Sequence, residues 1–130
     1  MSKYTVFYHG SGKTFLGRAH GAAMLLEQAG AEYGWASKDD VPEGIGFVVP
    51  MVTLANGLTI GQQGAICASL GKELGFYPKT PEGEAAALCI IENTSDLASE
   101  SIFSFSGPKP DERLVKWLGT YERALAKASP

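Results

Sequence analysis

Residues 49–77 read "VPMVTLANGLTIGQQGAICASLGKELGFY", and this stretch decides the fold. "GFVVPMVTL" (46–54) and "LTI" (58–60) are rich in β-branched and aliphatic residues and predict two strands. Asn56-Gly57 stands between them, the dipeptide best suited to the left-handed conformations of a tight hairpin turn. Gln63 to Leu74 then carries a helical pattern that stops at Gly75. Pro50 stands within the first strand run, where proline needs a reason. A cis bond there would turn the backbone edge of Val49 toward an extended ligand and offer it ladder-type hydrogen bonds. Gln62 and Gln63 open the helix. Adjacent glutamines are commonly solvated surface, but after this proline and hairpin they read as ligand-facing. The free N–H groups of the helix mouth suit a carboxylate.

Outward from this stretch the pattern alternates. "YTVFY" (4–8) predicts a first strand, and Phe15 to Gln28 predicts a helix that stops at Gly30. "FYPKTP" (76–81) reads as a linker. Helices are predicted from Glu84 to about Phe105 and, after a "GPKP" break, from Asp111 to Lys127. In the last helix Leu114, Trp117, Leu118, Tyr121 and Leu125 form one apolar stripe. The order is β-α-β-β-α followed by helices, without internal repeats.

Composition narrows the class. With 45% hydrophobic and 19% charged residues, the 130-residue chain reads as globular, one domain or two small lobes. Eleven basic against fourteen acidic side chains argue against nucleic acid or an anionic membrane as the main partner. No apolar run is long enough to span a membrane, and "MSKYTVFY" lacks the features of a signal peptide. Cys67 and Cys89 have no C-x-x-C spacing and read as reduced, buried thiols of a cytoplasmic protein.

"FYHGSGKT" (7–14) follows a strand and opens a helix, as a P-loop does. The pattern needs glycine at position 7, which is Phe, and the hairpin does not suit a parallel P-loop sheet. A Gly-rich strand-to-helix loop is the preferred reading. His9 has no nucleophile and orienting acid beside it, His20 reads as surface, and two histidines with two distant cysteines make no metal constellation. Cysteine redox chemistry fails because no Cys occupies the loop after the first strand.

Taken together, "YTVFY", "GRA" and "MLLEQAG", the 49–77 stretch, "SDLASES" and "LVKWLGTYERALAK" resemble a glutathione S-transferase of the tyrosine type (alpha, mu, pi and sigma classes). The resemblance implies an α/β thioredoxin-like N-terminal lobe of βαβ-ββα type over residues 1–77. A linker at 78–82 and a truncated all-α C-terminal lobe at 83–130 would follow. Glutathione would be the substrate, with no metal, and a small electrophile the second reactant. The protein would act in detoxification as a homodimer or as a subunit of a larger complex.

Residue roles follow from the resemblance. Tyr8 would donate its hydroxyl to the glutathione sulfur. A thiol of pKa ~8.5 is only about 3% thiolate at pH 7. Lowering that pKa by ~2 units takes about 2.7 kcal/mol of preference for the anion, within the range of one well-aimed donor in a dry site. Arg18 would sit beside the glycyl or γ-glutamyl end, and Val49 before Pro50 would offer its backbone to the cysteinyl residue. Gln62 and Gln63 would hold the γ-glutamyl carboxylate. Asp96 would reach the γ-glutamyl amine in a neighbouring subunit. Trp35 and Lys38 are the nearest counterparts of the Trp and Lys that meet the glycyl carboxylate.

Three departures stand against that pattern. The family's Gln-Ser pair is Gln62-Gln63 here, a loop insertion at Gly10–Phe15 places Ser11 and Thr14 as competitors for the thiolate, and the helical part is short. They leave a second reading open, a non-catalytic subunit that keeps the fold as an interaction surface.

Overall fold

The computed structural model describes residues 3–12, 15–104 and 111–128. The chain forms two compact units, Met1–Ile91 and Glu92–Pro130. The first holds strands β1 (Tyr4–Tyr8), β2 (Tyr33–Ser37), β3 (Met51–Thr53) and β4 (Thr59–Gly61), with helices α1 (His20–Gln28) and α2 (Gln63–Leu74). Helix α3 (Pro81–Ser104) begins in the first unit and ends in the second, which also holds α4 (Asp111–Ala128).

The sheet order is β2-β1-β3-β4, with β1 parallel to β2 and antiparallel to β3, and β3 antiparallel to β4. The βαβ-ββα order implied by the resemblance is therefore realised. Because side chains alternate across a strand, Trp35, Val6, Val52 and Ile60 form one cross-strand row on one face. That row packs into a core with Tyr4, Tyr8, Ala22, Leu26, Ile66 and Leu70. Burying a Leu or Val side chain stabilises by about 1.5–3 kcal/mol, so this core supplies most of the lobe's cohesion. Phe7 and Met51 are also buried but point to the opposite face, in the row Ala36–Phe7–Met51–Gly61.

The hairpin turns as expected: Leu54 N–H donates to the Leu58 carbonyl at 2.9 Å, and the Asn56 side-chain oxygen accepts from Leu58 N–H at 3.0 Å. Thr53 and Thr59 hydroxyls meet across it at 2.8 Å. Helix α2 ends at Gly75, left-handed at φ 82°, as its sequence predicts.

Several expectations are corrected. The pass along the residues predicts no strand between Gly30 and Gly46, yet Tyr33–Ser37 forms β2, recruited by parallel pairing to β1. "GFVVP" is not strand. Ile45 bridges the outer edge of β4, accepting from Gly61 N–H at 3.1 Å and donating to the Thr59 carbonyl at 3.0 Å. Gly46, at φ 126°, breaks the extended run beyond it. The first helix does not begin at Phe15: a 3-10 turn over Gly17–Ala19 comes first and α1 starts at His20. Cys89 is exposed rather than buried, on a stretch of α3 (Leu88–Ile90) that is exposed throughout. Cys67 is half-buried, and burial pushes its thiol pKa up. Phe105, the predicted end of the third helix, lies outside the described residues.

The second unit is joined differently. Arg113 donates to both oxygens of Glu100, Nε at 2.9 Å and Nη2 at 2.6 Å, and Trp117 Nε1 donates to the same carboxylate at 2.8 Å. The Tyr121 hydroxyl meets Thr94 Oγ1 at 3.0 Å. Along the α4 stripe Leu114, Trp117 and Tyr121 are half-buried, whereas Leu118 and Leu125 are 54% and 64% exposed.

Candidate active site

The register of the sheet builds the candidate site. Phe7, Met51 and Gly61 are aligned across β1, β3 and β4. One step further along, β1 reaches Tyr8, β4 reaches Gln62, and β3, which runs the other way, begins just after Pro50. Ser37 of β2 pairs with Tyr8. Tyr8, Pro50 and Gln62 thus come together at one end of the sheet, with Tyr8 and Gln62 two strand spacings apart, roughly 10 Å.

Tyr8 is buried to 5% exposure, its ring edge-on to His9 (centroids 5.0 Å apart) and tilted against Phe15 (6.4 Å). Its hydroxyl accepts the backbone N–H of Arg18 at 3.1 Å. That bond occupies an acceptor lone pair and leaves the phenolic proton for another acceptor. Gly17 makes the arrangement sterically allowed: it lies at φ 42°, and a Cβ there would collide with the Tyr8 hydroxyl and stand 2.7 Å from the Phe15 ring. Sequence reasoning assigned no role to Gly17, His9 or Phe15. The glycine in "GRA" was the available signal.

The Val49–Pro50 peptide is cis, and Val49 packs against the core. Gln62 is exposed and holds φ 68°, a left-handed value unusual for a residue with a side chain. Its carbonyl accepts Ile66 N–H at 3.0 Å, while its side chain makes no capping bond, so α2 begins without a side-chain cap. Gln63 is turned elsewhere. Its Oε1 is buried without a hydrogen-bond partner among the described residues, and its Nε2 lies toward Gly21 of α1, where a Cβ would also meet the Cys67 sulfur.

The other predicted residues are distributed. Arg18 contributes its backbone N–H at Tyr8, and its residue is exposed. Lys38 follows Ser37 at the same end of the sheet and pairs with Asp39 at 2.6 Å, which lowers the Asp39 carboxyl pKa. Trp35 lines a groove between α1 and β2 with Met24, Glu27 and Tyr33. Asp96 is exposed on the part of α3 that belongs to the second unit. Thr14 lies outside the described residues, as does the side chain of Ser11. Among the described residues no group of three His, Cys, Asp or Glu side chains is placed to hold a metal ion. Nor is any helix among them long and apolar enough to cross a membrane.

No protein-family model matches the sequence. No curated protein matches it either. Solved structures do. NaGST-2 superposes with TM-score 0.69 at 22% identity over 98% of this chain and 69% of its own. The fold is that of the glutathione S-transferases. A major nematode C. elegans specific GST gives TM-score 0.60 at 21% identity, over 95% of this chain and 65% of its own. The glutathione S-transferase from Ascaris lumbricoides gives 0.60 at 23%, over 87% and 58%. The chain thus spans between about three-fifths and two-thirds of the length of these glutathione-transferase structures. The resemblance read from the sequence is borne out at the level of the fold, thioredoxin-like lobe and helical part together.

Proposed function

We propose that this chain is a glutathione S-transferase of the tyrosine type, binding glutathione and directing its thiolate at small electrophiles. The observation that carries the reading is the meeting of Tyr8, Pro50 and Gln62 at one end of the sheet. A phenol whose hydroxyl already accepts Arg18 N–H is a polarised donor, and its proton is available to a thiolate. Gln62 holds an unfavourable backbone conformation beside the uncapped α2 N-terminus, and such strain gathers where a ligand is recognised. The open helix end and the exposed amide suit the γ-glutamyl carboxylate.

In the reaction the thiol proton leaves to solvent. Tyr8 donates to the sulfur, the sulfur lone pair forms the bond to the electrophilic carbon, and the leaving group departs with its bonding pair. Arg18, Val49, Lys38 and Gln63 belong to the same proposed site. Gln63 contributes through its backbone N–H, since its amide faces α1. Trp35 is the weakest member because it lines the α1–β2 groove. Asp96 serves the site of a second copy, so the assembly is a homodimer. Residues 1–77 form the glutathione-binding domain, 78–82 the linker and 83–130 the helical domain, in a cytoplasmic detoxification protein. The exposed Val115, Leu118 and Leu125 favour a second reading, a non-catalytic interaction subunit.

Tyr8→Phe tests the reading. Glutathione binding should persist while turnover falls tenfold or more, about 1.4 kcal/mol. The pKa of the bound thiol, followed by ultraviolet absorbance, should rise. Failure of the native chain to bind glutathione would reject the proposal in favour of the second reading.

A further inference from the structure

A groove of ≈ 500 Å³ lies between the outer face of α1 and the edge strand β2, lined by residues that include Met24, Glu27, Tyr33 and Trp35. Its size falls within the ordinary range for small-molecule sites, about 300–1,000 Å³. Two aromatic rings form its wall: Tyr33 and Trp35 meet edge to face, with centroids 6.1 Å apart at 65°. One carboxylate is set against them. The Tyr33 hydroxyl donates to Glu27 Oε1 at 2.7 Å, which fixes the acid beside the rings. Partial burial and the neighbouring carboxylate raise the Tyr33 pKa, so the phenol stays a neutral donor at physiological pH. Among the described residues no Lys, Arg or His lies within ion-pair distance of Glu27.

The chemistry is that of a cation site. Aromatic faces attract cations through their quadrupole, and a carboxylate held beside them supplies the counter-charge. The exposed Met24, at 60%, adds a polarizable apolar surface for a ligand's methyl groups. A free anion would be repelled by Glu27, and a purely apolar ligand would leave the carboxylate's charge without a counter-ion. We propose that the α1–β2 groove binds a small alkylammonium cation, its charged head against the Tyr33–Trp35 pair and beside Glu27. The ligand class follows from charge complementarity and does not depend on the glutathione reading.

The test is a titration of the isotopically labelled chain with choline and, in parallel, with its uncharged carbon isostere, dimethylbutanol. It is run at one fixed pH, because His20 also lines the groove. The Trp35 indole N–H and the amides of Met24, Glu27 and Tyr33 should shift together with choline. The isostere should bind roughly tenfold more weakly. Glu27→Gln keeps an acceptor for the Tyr33 hydroxyl and lies at an exposed position, so the fold should be kept; choline binding should weaken about fivefold. Equal binding of choline and its isostere would overturn the proposal, as would an unchanged affinity in Glu27→Gln. So would shifts confined to the Tyr8–Gln62 end of the sheet, or no shifts at all.

Discussion

The two units of this chain are held by different physics. Among the described residues every buried hydrophobic side chain lies between Tyr4 and Leu70, in the first unit. There, cohesion comes from apolar area removed from water around Val6, Val52, Leu26 and Leu70. The described contacts of the second unit centre on one carboxylate, Glu100, shared by Arg113 and Trp117, with a Thr94–Tyr121 hydroxyl contact. Arg113 also lies over the Trp117 ring at 5.8 Å. The first arrangement is insensitive to pH and intolerant of lost volume. The second should answer to the loss of charge at Glu100.

The largest effect should come from breaking the first kind of cohesion. Leu26→Ala removes a side chain that is 0% exposed, and should cost about 2–5 kcal/mol in a denaturant titration of the whole chain. A smaller loss would mean that α1 collapses onto the sheet to fill the space. Next comes the contact that joins packing to the candidate site. Gly17→Ala places a methyl group against the Tyr8 hydroxyl at a left-handed backbone position and should destabilise by about 1–3 kcal/mol. It should also shift the ring resonances of Tyr8 and Phe15. An Ala variant as stable as the native chain would show that the Tyr8 hydroxyl does not rest on this backbone.

Acid sharpens the contrast. Glu100 is lowered from 4.5 to about 2, first by the hydrogen bond from Arg113 and then by that from Trp117. A carboxyl whose folded pKa is depressed contributes stability that is complete above its unfolded value and is lost as pH falls through its folded value. The α3–α4 connection in the second unit should therefore weaken between about pH 4.5 and about pH 2. The Trp117 indole N–H resonance reports this, and Glu100→Gln should abolish its acid transition while leaving the Trp35 resonance unmoved. The smallest effect belongs to Leu118→Ser. This side chain is 54% exposed, so stability should change by no more than about 0.5 kcal/mol. A substantially larger loss, or a fall in apparent mass by sedimentation, would show that a partner covers this face in solution.

The elements legible in the sequence are those whose signals are local. "YTVFY" forms β1, Asn56-Gly57 turns the hairpin, and α2 runs from Gln63 to its left-handed stop at Gly75. Tyr8, Pro50 and Gln62 were nameable because each sits at an element boundary and because the motif around them resembles a known family. Their meeting was not legible, since it depends on which residues pair across three strands. Strand β2 was missed for the same reason. "YGWAS" sets Gly34 and Ala36, poor strand formers, around Trp35, and it is strand because β1 offers it a parallel ladder. The same pairing sets Trp35 beside Val6 on the α1 face, where it lines the groove with Glu27, and that placement decided its surroundings. Local propensity and turn chemistry act over a few residues and are written in the chain. Register, the side a strand residue faces and the exposure of Cys89 arise only when distant segments compete for the same partners, and tertiary structure alone decided them.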